Sequence, residues 1–209
     1  MFANLGSRAE DGMDLDVLVY RLDVAMLAIS SATVGGGMGE RHWALNAQVR
    51  TDYDRDDIES HVDELARTLS LSGSGIGMLT AANVEARTRA AIDGVSTEAT
   101  VGLSHPTWAA NEEPGTTARV GTINAVIFVP VRLSDAALVN AVVTATEAKS
   151  QALFEAGFAA TGTPSDAVTL FCPLDGDSER FGGPRSPWGS RIARAVHDAV
   201  FAGAKAWDE

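Results

Sequence analysis

Two stretches of the chain are apolar on successive residues: Thr122-Ile123-Asn124-Ala125-Val126-Ile127-Phe128-Val129, and the run that follows Asp166 up to Cys172. A strand with one wet face alternates, whereas a strand covered on both faces reads as a continuous apolar run. Both stretches therefore predict central strands. Between them, Ser134 to Phe154 places Leu138, Val142 and Leu153 on one stripe at helical spacing and predicts a helix. The unit from Gly121 to Asp166, which ends in the loop 160–166, is the expected centre of the fold.

The remaining pattern surrounds that unit. Residues 1–13 are rich in small and charged side chains and are expected to fray, leaving 14–209 as one folded domain. Val17–Leu22 and Val24–Ile29 read as two short strands, a hairpin or one bent ribbon. Trp43 to Val49 alternates, with Asn46 on the face opposite Trp43 and Leu45. The acidic run Thr51–Asp57 leads into a helix carrying Ile58, Val62, Leu65 and Leu69 on one face, with Asp56 or Asp57 as its cap. A glycine-rich turn and a short strand follow over Gly73–Ala81, then a helix over Val84–Ala91. From Val95 to Ser104 alternation returns, with Glu98 in the middle of a polar face whose default setting is water. His105–Arg119 lacks periodicity and predicts a long loop with the character of a lid carrying Trp108. A last helix begins near Pro187, with His197 off its apolar face. Strands crowd the first half and strand-helix order closes the chain. This predicts a single-domain α+β fold, a mixed β-sheet with helices packed on it, for which a layered αββα arrangement is open.

Composition narrows the function classes. A chain of 209 residues suits one sizeable core. Its formal net charge of -12 disfavours sequence-independent binding to nucleic acid or to an anionic membrane. The first residues do not read as a signal peptide and no run approaches a membrane span, so the expectation is a soluble cytoplasmic protein. Cys172 is the only cysteine and reads as a core thiol. The four histidines are isolated in sequence, with no His-Glu-x-x-His or paired-cysteine spacing, so no metal site is expected. A Gly-x-Ser-x-Gly elbow is absent as well.

Three polar groups inside the apolar framework change the picture. Lys149 falls within the apolar stripe of the predicted helix, Glu147 lies on its shoulder, and Asn124 sits in the buried strand. A buried ammonium is costly unless paired, and burial lowers a lysine's pKa; the alternative is that Lys149 snorkels past the edge of the stripe. Gly35-Gly36-Gly37 after Ile29-Ser30-Ser31-Ala32 allows main-chain positions closed to other residues, but neither the phosphate-loop nor the dinucleotide spacing is present.

The phrases Pro114-Gly115-Thr116, Gly121-Thr122-Ile123-Asn124, Ala145-Thr146-Glu147-Ala148-Lys149 and Ala160-Thr161-Gly162-Thr163-Pro164-Ser165-Asp166 together resemble the adenosylcobinamide amidohydrolase family of corrinoid salvage. So do Ile29–Ala32 with Gly35–Gly37, Leu45-Asn46 with Asp52-Tyr53, and Gly77–Ala82, all in the same order along about Leu18–Val200. The resemblance implies an amidohydrolase that cuts the amide joining the aminopropanol arm to the corrin, giving adenosylcobyric acid for cobalamin biosynthesis. It implies no separate cofactor, since cobalt belongs to the substrate. Amide hydrolysis needs a nucleophile, proton transfer and donors for the oxyanion. Thr161 or Thr163, or a water held by Glu147, can supply the nucleophile; Lys149 can act as base and then acid; Asn124 or the Gly162 amide can steady the oxyanion; Asp166 can orient the lysine or the threonine. Substrate contacts are expected from Ser30, Ser31, Gly35, Gly36, Gly37, Asn46, Tyr53, Glu98 and Trp108. The sequence around Gly102-Leu103-Ser104-His105-Pro106 departs from the family, which often has an Asn there. A non-catalytic corrinoid-binding or delivery protein is the alternative, and a homodimer stabilised by the polar core groups is a third reading.

Overall fold

The longest strand, β2 (Met13–Ser30), organises the sheet. The computed structural model of the chain describes residues 1–10, 12–111 and 121–207. The Pro114-Gly115-Thr116 phrase and the second half of the expected lid lie outside the described residues. β2 pairs antiparallel with β1 (Asn4–Glu10) and β3 (Gly37–Gln48), and its register against β3 shifts between Arg21 and Met26. The two short strands expected here are thus one bent ribbon. Past the bend, Leu27–Ser30 pair with β8 (Ala167–Cys172), so β2 belongs to both halves of the sheet.

The strand order is β4-β3-β2-β8-β7-β6-β5, with β1 on β2, where β4 is Gly75–Thr80, β5 Thr88–Ile92, β6 Val95–Gly102 and β7 Thr122–Phe128. The β3–β4 and β7–β8 pairs are parallel and the others antiparallel, a mixed sheet. The sheet folds over on itself. Leu18, Tyr20, Ala44, Ile76 and Met78 of one leaf meet Val126, Phe128 and Phe171 of the other in one apolar layer. Helix α1 (Ile58–Thr68) covers the first leaf by setting Val62 and Leu65 on Val17, Val19, Trp43 and Leu45. Helices α2 (Asp135–Ala156) and α3 (Pro187–Trp207) cover the second. The result is the layered αββα form of an α+β domain, and it explains why β7 and β8 are apolar on both faces: all of their residues are buried. Among the described residues no helix is long and apolar enough to cross a membrane.

Helix α2 starts where Ser134 Oγ accepts the Ala137 amide at 3.2 Å and stops at Gly157, whose left-handed φ of 101° turns the chain away. Its buried face is mostly alanine, Ala141, Ala145, Ala148 and Ala152, which leaves room for close packing against α3 and β8. Cys172 is buried and burial pushes its thiol pKa up, the setting of a structural cysteine.

Three local expectations are corrected. Residues 1–13 do not fray as a whole, because Asn4–Glu10 form β1 in register with Met13–Val19. Val84–Ala91 is not a helix: a single 3-10 turn at Val84–Ala86 gives way to β5, because Asp93-Gly94, both at positive φ, form the turn of a hairpin with β6. Asp57 sits at the N-cap of α1, yet its carboxylate bonds Arg55 rather than the helix amides.

Candidate active site

The two leaves part at one end of the inter-sheet layer, and a cavity of about 450 Å³ opens there. One wall is the chain leaving β2, β3 and β4, with Ser31, Ala32, Thr33, Val49, Tyr53, Met78 and Leu79. The other is the start of β7 and β8, with Thr122, Asn124, Pro164, Ser165 and Asp166. Strand direction explains part of the gathering: the parallel pair β3 and β4 ends here, the parallel pair β7 and β8 begins here, and the end of β2 pairs beside the start of β8.

Behind the second wall, Lys149 of α2 ion-pairs with Asp166, and both side chains are nearly buried. The wheel placed Lys149 inward, and the structure supplies the carboxylate that burial demands. Asp166 Oδ1 also accepts from the Ile123 amide at 2.9 Å and from the Thr163 hydroxyl, and Oδ2 accepts from the Thr163 amide at 3.0 Å. With Lys149, these donors engage both carboxylate oxygens, although the Gly121 carbonyl, 2.7 Å from Thr163 Oγ1, competes for the one Thr163 hydroxyl proton. Asp166 is therefore a hub that ties α2, β7 and the 160–166 loop together. Gly162 crosses directly over the pair, and a Cβ there would collide with Asp166 Oδ2 and Lys149 Nζ. A close approach of main chain to ions is what this glycine provides.

The cavity itself presents groups with unspent capacity. Ser31 Oγ accepts the Val168 amide at 3.0 Å, and its hydroxyl proton has no acceptor among the described residues. Asn124 Nδ2 donates to Asn46 Oδ1 at 2.9 Å and to the Leu79 carbonyl at 3.4 Å, which uses both of its hydrogens and leaves Oδ1 as an acceptor. That orientation is fixed by the Leu79 carbonyl, which requires a donor. Thr122 Oγ1 and Ser165 Oγ lie 2.7 Å apart, with Ser165 donating on to the Gly121 carbonyl. Tyr53 enters from the first wall, its pKa raised by burial, and its hydroxyl meets His61 Nδ1 at 2.9 Å.

Of the residues singled out from sequence, Ser31, Tyr53, Asn124 and Asp166 line the cavity, and Lys149 and Thr163 stand directly behind it. Asn46 is a brace: it holds Asn124 and donates to Thr100 Oγ1 at 2.9 Å across the two leaves. Ser30 is buried against Thr169 Oγ1 at 2.7 Å. Thr161 ties down the chain at Thr107 and Ala109, so its hydroxyl is already engaged. Gly35–Gly37 do not line the cavity; Gly35 lies so close to Gly75 that a Cβ would strike its carbonyl, and Arg41 binds the Gly35 carbonyl at 2.8 Å. Glu147, two residues from Lys149 and so about 200° round the helix, is exposed in a hollow between α2 and α3. Glu98 is neither in water nor at the cavity, but sealed at the other end of the layer, bonded to Arg87 at 2.8 Å and the Ala3 amide at 2.8 Å. Trp108 is 48% exposed beside a bridge from Thr107 to Gly162. Thr33, Thr122, Ser165 and His61 were missed. Thr122 and Ser165 fall inside the family phrases, and His61, three residues after Ile58 and four before Leu65, lies on the flank of the apolar face of α1, a signal present in the pattern. Among the described residues no three His, Cys, Asp or Glu side chains gather as a metal site.

The chain was compared with known proteins. It is 30% identical over 182 residues to the adenosylcobinamide amidohydrolase of Methanosarcina mazei, a match covering 83% of this chain and 88% of that protein. It is 38% identical over 113 residues to the adenosylcobinamide amidohydrolase of Halobacterium salinarum, covering 51% of this chain and 48% of that one. Among solved structures, the PH0078 protein of Pyrococcus horikoshii OT3 aligns with 90% of this chain and 77% of its own at 12% identity and a TM-score of 0.48, too low to support any inference. The adenosylcobinamide amidohydrolase family model matches residues 3–209, nearly the whole chain. The chain belongs to the adenosylcobinamide amidohydrolase family.

Proposed function

We propose that the protein hydrolyses the amide between the corrin and the aminopropanol arm of adenosylcobinamide, releasing adenosylcobyric acid and aminopropanol for reuse in cobalamin synthesis. The observation that carries this reading is the pairing of an unspent donor, Ser31 Oγ–H, with an unspent acceptor, Asn124 Oδ1, in one cavity. A secondary amide presents the complement, a carbonyl acceptor and an N–H donor. Ser31 then polarises the carbonyl and stabilises the charge that grows on its oxygen, while Asn124 orients the N–H.

The size of the cavity decides which part of the substrate enters. At about 450 Å³ it accommodates a side arm, not a macrocycle with an adenosyl group as well. The corrin stays outside the cavity, and Trp108, exposed and next to the Thr107 bridge to the 160–163 loop, offers a flat apolar surface for it. Cobalt arrives with the substrate. Incubation with adenosylcobinamide, followed by mass spectrometry for both products, tests the reading. Products from the wild type and at least about 100-fold fewer from folded Ser31→Ala support it; retention of intact corrinoid without turnover replaces it with the binding-protein reading.

A further inference from the structure

Among the described residues that line the cavity only Tyr53 and Asp166 are titratable, and both oxygens of Asp166 are already engaged, by Lys149 and the Ile123 and Thr163 amides. Amide hydrolysis must move a proton from water to the departing amine, which leaves Tyr53. Behind its hydroxyl lies His61, 2% exposed on the buried side of α1, and behind His61 lies Glu10 of β1, with Oε1 3.1 Å from Nε2. The last contact is close but not aligned as a hydrogen bond, so Nε2 has no hydrogen-bond partner among the described residues and meets Glu10 through charge alone. Glu10, held by Arg8 at 2.8 Å, borders a second hollow of about 420 Å³ that shares Tyr53 with the first. The line Tyr53–His61–Glu10 thus runs from the cavity between the leaves to a second hollow.

We propose that Tyr53 is the catalytic proton-transfer residue of this cavity, and that His61 and Glu10 are positioning residues that relay its proton. Resting on the amidohydrolase reading, the step is as follows. Glu10 favours the tautomer with hydrogen on Nε2, so Nδ1 accepts from the phenol, whose oxygen lone pairs then face the cavity. Water forms a bond to the amide carbon as one of its O–H bonds breaks. Its proton goes to Tyr53 Oη while the phenolic proton passes to His61 Nδ1, giving an imidazolium opposite Glu10. When the C–N bond breaks, the amine nitrogen takes a proton from Tyr53 Oη and His61 returns its own to the phenolate. Acid and amine result, and no electron is exchanged with another reagent.

The charges around this line are Glu10 and Arg8 from β1, Asp57 and Glu64 beside α1, and Arg50, Asp52, Asp54 and Arg55 from the connecting segment. Turnover requires a neutral His61, because only then can Nδ1 take the phenolic proton. Glu10→Gln removes the charge that faces the imidazolium formed during transfer, so kcat is expected to fall with KM little changed. Tyr53→Phe is expected to lower kcat at least about 100-fold with KM within about threefold. His61→Gln is expected to lower kcat in the same way, with KM little changed.

The experiment that decides combines kcat and KM of these variants with nitrogen-15 NMR of the four histidines. Tyr53→Phe must shift the His61 Nδ1 resonance, and Glu10→Gln must shift its Nε2 resonance. A kcat within about threefold of wild type in Tyr53→Phe, or an unchanged kcat in Glu10→Gln, overturns the relay. Absence of turnover in the wild type sinks the amidohydrolase reading instead. In that case an unresponsive His61 resonance also sinks the Tyr53–His61 coupling, and a responsive one upholds it.

Discussion

The two ends of the inter-sheet layer are built from the same strands and end up with opposite character. Along β6, Ser96, Glu98 and Thr100 all face inward, opposite Phe128, Val126 and Asn124 of β7. At the Glu98 end the chain closes the layer: the Ala3 amide, Arg87, Arg89 and Tyr20 spend the acceptor capacity of Glu98. At the Asn124 end the leaves separate, and Ser31, Asn124 and Tyr53 keep capacity facing the opening. Both ends bury ionised groups, and at both every carboxylate oxygen is bonded. What separates a sealed network from a site is therefore not buried charge but the polar atoms left unfilled beside it.

The largest effect should come from breaking the charged hub next to the opening. Lys149→Ala leaves Asp166 nearly buried without its counter-ion, and is expected to cost about 3 kcal/mol in urea unfolding. Hydrolysis should fall with it, because the start of β7 and the 160–166 loop lose their common anchor. Glu98→Ala at the sealed end should cost less, about 2 kcal/mol, since Arg89 is partly exposed and can turn to water. Its kcat should equal that of the wild type at temperatures where both are folded. Loss of turnover in folded Glu98→Ala would erase the distinction between the ends.

Asn124→Ala comes next. It removes the acceptor assigned to the substrate N–H and should lower kcat/KM about 10–100-fold, at a stability cost of about 1–2 kcal/mol for the Asn46 amide left without its partner. Equal loss of stability and no change in kcat/KM would make Asn124 a second Asn46, a brace alone.

Smaller still is the effect of Tyr20 at the sealed end. Burial, then the charge of Glu98 and a hydrogen bond to it, raise its pKa well above the ordinary value, against the pull of Arg87 and Arg89. Above about pH 10 the unfolded chain releases this proton and the folded one keeps it, so stability should fall by up to about 1.4 kcal/mol per pH unit. Below that pH the shift costs nothing. Tyr20→Phe should abolish this slope while lowering neutral-pH stability by only about 1 kcal/mol; thermal melts at pH 7 and pH 11 separate the two. A wild-type slope that persists in Tyr20→Phe would assign it elsewhere.

Much of this was legible in the chain. Continuous apolar runs located β7 and β8, the wheel turned Lys149 inward, and the phrases at 121–124 and 160–166 marked one wall of the cavity. What stayed hidden depended on contacts between segments far apart in sequence. The alternation of β6 gave Glu98 a polar face, but only the folding of the sheet onto itself makes that face interior. His61 flanks the apolar face of α1, four residues before Leu65, but its partners Tyr53 and Glu10 come from the connecting segment and β1 and could not be read from the helix alone. The three glycines at 35–37 signal close main-chain approach correctly, but the close neighbour at Gly35 is β4, not a ligand.

The smallest expected effect tests the wheel argument most directly. Glu147 and Lys149 both belong to a phrase that resembles the family, and the wheel placed Glu147 on the shoulder of the apolar stripe. In the structure Lys149 faces Asp166, while Glu147 shares its hollow with Thr144, Ala148, Gln151, Arg194 and His197. An exposed carboxylate there has no path to the cavity, because the body of α2 lies between them. Glu147→Gln should therefore leave kcat and KM unchanged within about twofold, and stability within about 0.5 kcal/mol. If turnover instead falls as far as in Lys149→Ala, the water-holding role of Glu147 stands and the cavity between the leaves is not where the amide is cut.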